Sequence, residues 1–347
     1  MASFSPIPDL SITAQDPEQP ANPLLPVVDA VAPIAGFWRR FAAWIVDSIL
    51  LGIAGQIIGW TFSSFWFEVG PYGRFVGLFF ILFYFGLMNS WLGNGQTLGK
   101  RFLGVAVRDD ENRPISIERS MIRTTILALP FILNGWALPI FQNVVLMMLL
   151  SVIIFGLGGA IVYTMIFNRG ARQGLHDLLC RTYVVYLGGD PLPAFPQSRK
   201  IHKTIAGVIL AVSVVLMGIM GVASTFVTSE SSFAYLYKPY QTLLSDPRFF
   251  SASVFDNTFY SGQAKSTHTL RVNVWYKGVP NREEFARIIN DVANVVLKDL
   301  ENIDDFDLIE ISITSGYDLG IASGSSTSGD RQSPEVWRER IRSANIK

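Results

Sequence analysis

Four stretches of the chain are apolar over about 20 residues, the length that carries an α-helix across a bilayer. Phe41–Phe62 is interrupted by Asp47 and Gln56, and Arg74–Leu92 has no charge after its first residue. Val144–Phe167 and Thr204–Phe226 are uncharged throughout. A fifth stretch, Ile126–Phe141, is short and holds Pro130, Asn134, Gly135 and Pro139. It reads as a broken span, a re-entrant hairpin or an interfacial helix, since irregular backbone survives at membrane depth only where protein or water covers it.

Beyond the last span the periodicity changes. Leu270, Val272, Val274 and Tyr276 alternate with polar or large residues, the pattern of a half-buried strand. Pro280-Asn281 supplies a turn and an N-cap, and Phe285, Ile288, Ile289, Val292, Val295 and Val296 then fall on one helical face. Ile309, Ile311 and Ile313 predict a second strand. Tyr317, Leu319 and Ile321 predict a third, after the turn residues Ser315-Gly316. Gly324–Asp330 reads as a flexible linker and Pro334–Ile341 as a short charged helix. The predicted fold is a membrane α-helical bundle, four spans plus the broken or re-entrant segment, followed by an α+β domain with a β-α-β-β core.

Positive charge orients this arrangement. Arg39 and Arg40 precede the first span; Lys100, Arg101, Arg108, Arg113, Arg119 and Arg123 follow the second. Arg169, Arg172, Arg181, Arg199, Lys200 and Lys203 lie between the third and the last, whereas Ser63–Gly73 carries only Glu68. The expectation is a multi-pass cell-membrane protein with a cytoplasmic N-terminus and an extracytoplasmic C-terminal domain. Two basic connections on one side need an even number of crossings between them, which favours Ile126–Phe141 as a crossing or as half of a re-entrant pair. The chain divides into a disordered Pro-rich tail (1–35, seven of the 18 prolines), a transmembrane domain (36–190), a basic cytoplasmic linker (191–203), an additional membrane helix (204–226) and a soluble domain (227–347).

Composition narrows the function classes. Of 347 residues 50% are hydrophobic and only 16% charged, and the net charge is zero, so nothing global favours nucleic acid. One cysteine, Cys180, and three histidines provide no multi-cysteine metal centre. Gly95–Lys100 has three residues between its glycines and an arginine after its lysine, which is not a P-loop, and no nucleophile elbow occurs. No enzyme activity, cofactor or metal is expected.

Arg40 and Asp47 lie two helical turns apart, on one face of the first span. An ionisable group inside a span is a functional candidate by default. The alternative is a positioning role, with Arg40 reaching the headgroups and Asp47 pairing with a neighbouring helix. Asp177 and Arg181 have the spacing of a helical ion pair, His176 that of an interfacial anchor, and Lys100-Arg101 suits anionic headgroups. Gly55-x-x-x-Gly59 predicts close helix packing inside the bundle, and Trp60, Trp66 and Trp91 read as interfacial aromatics. Cys180 is expected as a reduced thiol beside the membrane.

Three ordered stretches resemble the motifs of the RDD family of polytopic membrane proteins. Gly36-Phe37-Trp38-Arg39-Arg40-Phe41-Ala42-Ala43-Trp44-Ile45-Val46-Asp47 resembles its opening motif. Gly95-Gln96-Thr97-Leu98-Gly99-Lys100-Arg101-Phe102-Leu103-Gly104 resembles its loop motif, and Arg172-Gln173-Gly174-Leu175-His176-Asp177-Leu178-Leu179 its closing motif. The resemblance covers about residues 36–187 and leaves the last span and the C-terminal domain outside. It implies that the family's arginine and two aspartates are Arg40, with Arg39 as its rival, Asp47 and Asp177. These three are the candidates for binding an ion or proton, with Arg39, Lys100, Arg101, Arg172 and His176 in support. Some members of the family are taken to be cation/proton antiporters. Two functions therefore stand: a small transporter or ion-coupled carrier, or a non-catalytic anchor or adaptor whose outer domain binds a partner protein or envelope component. The expected partners are the lipid bilayer, a cation or proton, and a second copy or another membrane protein.

Overall fold

The structure, a computed structural model, describes residues 30–136, 143–230, 234–259 and 266–345. Most of the predicted tail lies outside these residues. Its last part does not behave as a tail: Val31 pairs with Leu192 and Ile34 with Val185.

Four helices among the described residues are long and apolar enough to cross a membrane: Phe37–Thr61, Ser63–Gly86, Val145–Phe167 and Lys200–Val222. The first is α1 (Phe37–Thr61). The second starts eleven residues before Arg74, as a short α2 (Ser63–Val69), a 3-10 turn at Gly70–Gly73, α3 (Arg74–Ile81) and a π-helical turn at Leu82–Gly86. The basic motif forms a five-residue α4 (Leu98–Phe102) and β1 (Val105–Arg108).

The broken apolar segment is placed differently from the expectation. Its helix, α5 (Ile117–Leu133), begins nine residues earlier, capped by Ser116, and takes Arg119 and Arg123 with it. Residues 137–142 lie outside the described residues. Met121 packs where a side chain on Gly86 would sit, and the Ile132 carbonyl meets Arg74, so α5 runs the length of the second helix in the opposite direction. Pro130 stays within the helix, and its ring lies 3.2 Å from where a Gly158 Cβ would be. Apolar content alone hid the first half of α5, because its arginines face protein instead of water.

The third long helix comprises α6 (Val144–Ser151), a π-helical turn at Val152–Leu157 and α7 (Gly158–Phe167). After α8 (Leu175–Leu179), β2 (Tyr183–Tyr186) pairs antiparallel with β1. α9 (Lys200–Glu230) then packs along this third long helix, with Ser213 against Gly156 of the π-helical turn.

The C-terminal domain contains α10 (Tyr237–Leu244), β3 (Phe249–Phe259), β4 (Thr267–Tyr276), α11 (Arg282–Asp299), β5 (Leu308–Asp318), β6 (Ser323–Gln332) and α12 (Pro334–Asn345). The sheet order is β3-β4-β5-β6; β4 and β5 are parallel across the α11 crossover, and the outer pairs are antiparallel. Asn281 caps α11 through the Glu283 and Glu284 amides, as its sequence predicts. Val272, Val274, Val292, Val296, Ile311 and Trp337 form the centre of the core. The observed core is therefore ββαββ, with two corrections to the sequence reading. β5 continues through Ser315-Gly316 to Asp318, so Leu319 and Ile321 belong to its tip and not to a new strand. The supposed linker Gly324–Asp330 is the middle of β6, an edge strand that its register with β5 holds despite small polar side chains. Phe249–Phe259 lacks strict alternation, which is why β3 escaped notice.

Candidate functional site

Asp47 lies on α1, fully buried. Its Oδ1 accepts from the Tyr84 hydroxyl at 2.6 Å and from the Gly99 amide at 2.8 Å, and its Oδ2 accepts from the Thr97 hydroxyl. Each donor has a local cause. The π-helical turn carries Tyr84; Thr97 is the N-cap of α4, its oxygen also accepting from the Lys100 amide. Gly99 approaches α1 so closely that a Cβ there would stand 2.2 Å from the Ala43 carbonyl oxygen. The loop motif thus supplies two of the three donors in a cup around one carboxylate, and Tyr84 supplies the third.

Arg40 shares a face of α1 with Asp47 but turns to a different carboxylate, and not to the headgroups. Its Nη2 donates to Asp177 Oδ2 at 2.7 Å and its Nη1 to the Arg172 carbonyl. Asp177 Oδ2 also accepts from the Gly174 amide at 3.2 Å. Asp177 Oδ1 receives Arg123 through Nη2 at 2.7 Å and Nε at 2.9 Å, and the Thr182 hydroxyl at 3.1 Å. Burial alone would raise the Asp177 pKa, but the two guanidiniums, Arg123 foremost, hold it well below the carboxylate range. The predicted Asp177–Arg181 pair does not form. α8 ends at Leu179, and Arg181 lies beyond it in a left-handed conformation, with φ of 48°.

One arginine and two aspartates from three separated motifs therefore organise one end of the bundle.

Residues 34–181 match the RDD family.

The chain is also 27% identical, over 173 residues, to the uncharacterized protein YxaI of Bacillus subtilis (strain 168), covering 44% of this chain and 97% of the relative. It is 27% identical over 168 residues to the uncharacterized YckC of the same organism, covering 48% of this chain and 95% of the relative. No solved structure matches the chain.

The other predicted residues of the RDD segment divide sharply. Lys100 does not face headgroups; its Nζ donates to the Asn89 amide oxygen. Burial, reinforced by Arg123, holds the amine well below its usual range against the pull of Asp47 and Asp177. Arg101 is exposed. His176 is not an interfacial anchor: it is buried, and burial pushes its pKa down to about 3, leaving it neutral. Its Nε2 lies 3.5 Å from Asp177. Arg39, the rival arginine, stacks over the Tyr186 ring at 3.7 Å. Arg172 contributes its carbonyl to Arg40 while its side chain stays exposed. Cys180 is buried, and burial raises its thiol pKa. Sequence reading missed Arg123, Tyr84 and Thr97. In the sequence Arg123 reads as a loop charge, and only the onset of α5 at Ile117 puts it on a helix facing Asp177.

At the opposite end the RDD segment meets the C-terminal domain. The β5–β6 tip enters between α1 and α3, where glycines leave room. A Cβ on Gly59 would strike the Tyr317 hydroxyl, one on Gly73 the Asp318 carbonyl at 2.9 Å, and one on Gly77 the Leu319 carbonyl. Gly55 faces Ile321 and Ala322, so the Gly55–Gly59 pair packs against the domain and not against another helix. Arg74 closes the contact, donating through Nε to Asp318 at 2.7 Å and to the carbonyls of Ile132 and Asn134. Trp66 is buried here, away from any interfacial position, and donates to the Ile58 carbonyl, while Trp60 and Trp91 are exposed.

Proposed function

We propose that the RDD segment is a membrane anchor that docks the ββαββ domain, and that this domain binds a partner protein or an envelope component. The carrying observation is that Asp47 and Asp177 spend their oxygens on donors from the polypeptide. Asp47 takes a phenol, a hydroxyl and an amide; Asp177 takes two guanidiniums, an amide and a hydroxyl. A carboxylate that exchanges a cation needs free lone pairs and a path, whereas these two fasten α1 to the loop and closing motifs. In this reading the basic end faces the cytoplasm, as positive charge favours, and the domain sits outside with the Ser63–Gly73 connection against which it packs.

The deciding experiment reconstitutes the purified chain into vesicles and measures sodium, potassium and proton flux. An anchor gives flux equal to empty vesicles. Flux that Asp47→Asn abolishes at normal protein abundance would overturn the proposal.

One observation favours a carrier as the second reading. The Lys100 amine, held low by burial and Arg123 against the pull of Asp47 and Asp177, is suited to gain and lose a proton. Under that reading proton flux survives in Asp47→Asn and disappears in Lys100→Met.

A further inference from the structure

The groove between the start of α1 and the end of α7 has a volume of about 690 Å³ and is lined by Phe37, Arg39, Arg40, Ile166, Arg169 and Arg172 among others. Four of these are arginines, and no acidic residue lines the groove. Arg40 is committed to Asp177 and the Arg172 carbonyl. The other three are not neutralised: among the described residues neither Arg169 nor Arg172 meets a carboxylate, and both are exposed. Arg39 stacks on Tyr186 by its face, which leaves its N–H edge open to an acceptor. Arg172 adopts a left-handed backbone, φ 50°, unusual for a residue with a side chain, and its carbonyl is fixed by Arg40. Uncompensated guanidiniums in one recess call for an anion with several acceptor oxygens, which is the chemistry of phosphate.

The surroundings choose the kind of phosphate. Phe37 begins one candidate span and Phe167 ends another, so the groove opens at the depth where the hydrocarbon gives way to headgroups. Phe37, Trp38, Ile166 and Phe167 are exposed beside it, apolar surface suited to acyl chains. Basic pockets between membrane helices are a known form of lipid recognition. We propose that this groove is a specific site for the headgroup of an anionic phospholipid, with Arg39, Arg169 and Arg172 as its phosphate ligands. The site is independent of whether the bundle anchors or transports.

The test uses the purified full-length chain in detergent with mixed phosphatidylglycerol and phosphatidylcholine, the lipids that stay bound being counted by native mass spectrometry. The wild-type chain should retain phosphatidylglycerol in preference to phosphatidylcholine. Arg169→Gln with Arg172→Gln should lower that retention about tenfold, since two solvent-exposed ionic contacts are lost. Arg199→Gln with Lys203→Gln, at the same end but outside the groove, should leave it unchanged. Equal loss in both pairs would mean diffuse attraction and overturn the site, as would full retention in the groove variant. Displacement of the lipid by millimolar sn-glycerol 3-phosphate would assign the groove to a soluble phosphate compound and overturn the lipid. Should the groove variant fail to fold, the wild type still decides: brominated phosphatidylglycerol should quench Trp38 emission, referenced to Trp38→Phe, more than brominated phosphatidylcholine does. Equal quenching would refute the site.

Discussion

The two ends of the bundle are held by opposite means. At the basic end, two buried carboxylates gather donors from five separate stretches of chain, and geometry is fixed by directional charge-assisted bonds. At the other end, glycines remove side chains from α1 and α3 so that a β-hairpin tip fits between them, with the Arg74–Asp318 pair as the main directional contact. The first is a lock of charge; the second is a lock of shape. They should fail differently. Breaking the first strands charges inside the bundle, whereas breaking the second releases a domain and leaves the bundle whole.

The largest effect is expected from Asp177→Asn. It leaves Arg40 and Arg123 buried without their counter-charge, which costs about 3–5 kcal/mol. Membrane abundance, measured by immunoblot with a thermal-shift assay in detergent, should collapse. If abundance stays normal, the charge lock does not hold the fold.

Next in size is Gly77→Ala. The new Cβ would stand 1.5 Å from the Leu319 carbonyl, a backbone atom that no rotamer change can move aside. Overpacking of this kind costs about 1–3 kcal/mol. Its signature is release of the tip at unchanged abundance, read as faster deuterium exchange of the Leu319 amide, which donates to the Ala322 carbonyl at 2.8 Å. Undiminished protection would mean that the tip does not need the glycine cleft.

Asp47→Asn tests the charge lock without stranding a cation. Asparagine keeps one acceptor but turns an amino group toward existing donors, at a cost of about 1–3 kcal/mol. It should destabilise less than Asp177→Asn. The reverse order would show that the loop motif, not the closing motif, is the tighter joint.

The smallest effect lies away from both ends. His268 donates through Nε2 to Asp256 at 2.6 Å and through Nδ1 to the Asp305 carbonyl at 2.8 Å, which requires the doubly protonated ring. Partial burial opposes the charge, but the Asp305 carbonyl and the Asp256 carboxylate overcome it and raise the pKa. A folded pKa above the unfolded value of about 6.5 means stability that is complete below that pH and lost as pH rises through the folded value. With three histidines in the chain, isotope-labelled His268 should titrate above its ordinary range by NMR. Asp256→Asn should lower it and remove at most about 1 kcal/mol.

The two locks also differed in how far sequence could reveal them. Arg40, Asp47 and Asp177 stand out because a charge in an apolar run is conspicuous, and residues 34–181 match the family that those motifs resemble. Their pairing was not legible, since helical spacing relates Arg40 to Asp47 but says nothing of a partner 137 residues away. The four long apolar helices and the α11 amphipathic face followed from length and period alone. β6 did not: its stability comes from its neighbour's backbone, and Ser-Gly-Ser-Ser-Thr reads locally as linker. The glycines of α1 and α3 were visible, but their purpose depends on Leu319 and Ile321, which nothing local connects to them.

Asp318 follows Arg74 by 244 positions. At ordinary rates of synthesis, about 5–20 residues per second, a ribosome needs about 12–50 s to reach the tip after Arg74 has emerged. Throughout that interval the nascent α1–α3 cleft has no hairpin to fill it. The contact between cleft and tip therefore forms late in synthesis, and a chain released before residue 318 would leave Arg74 without its Asp318 partner.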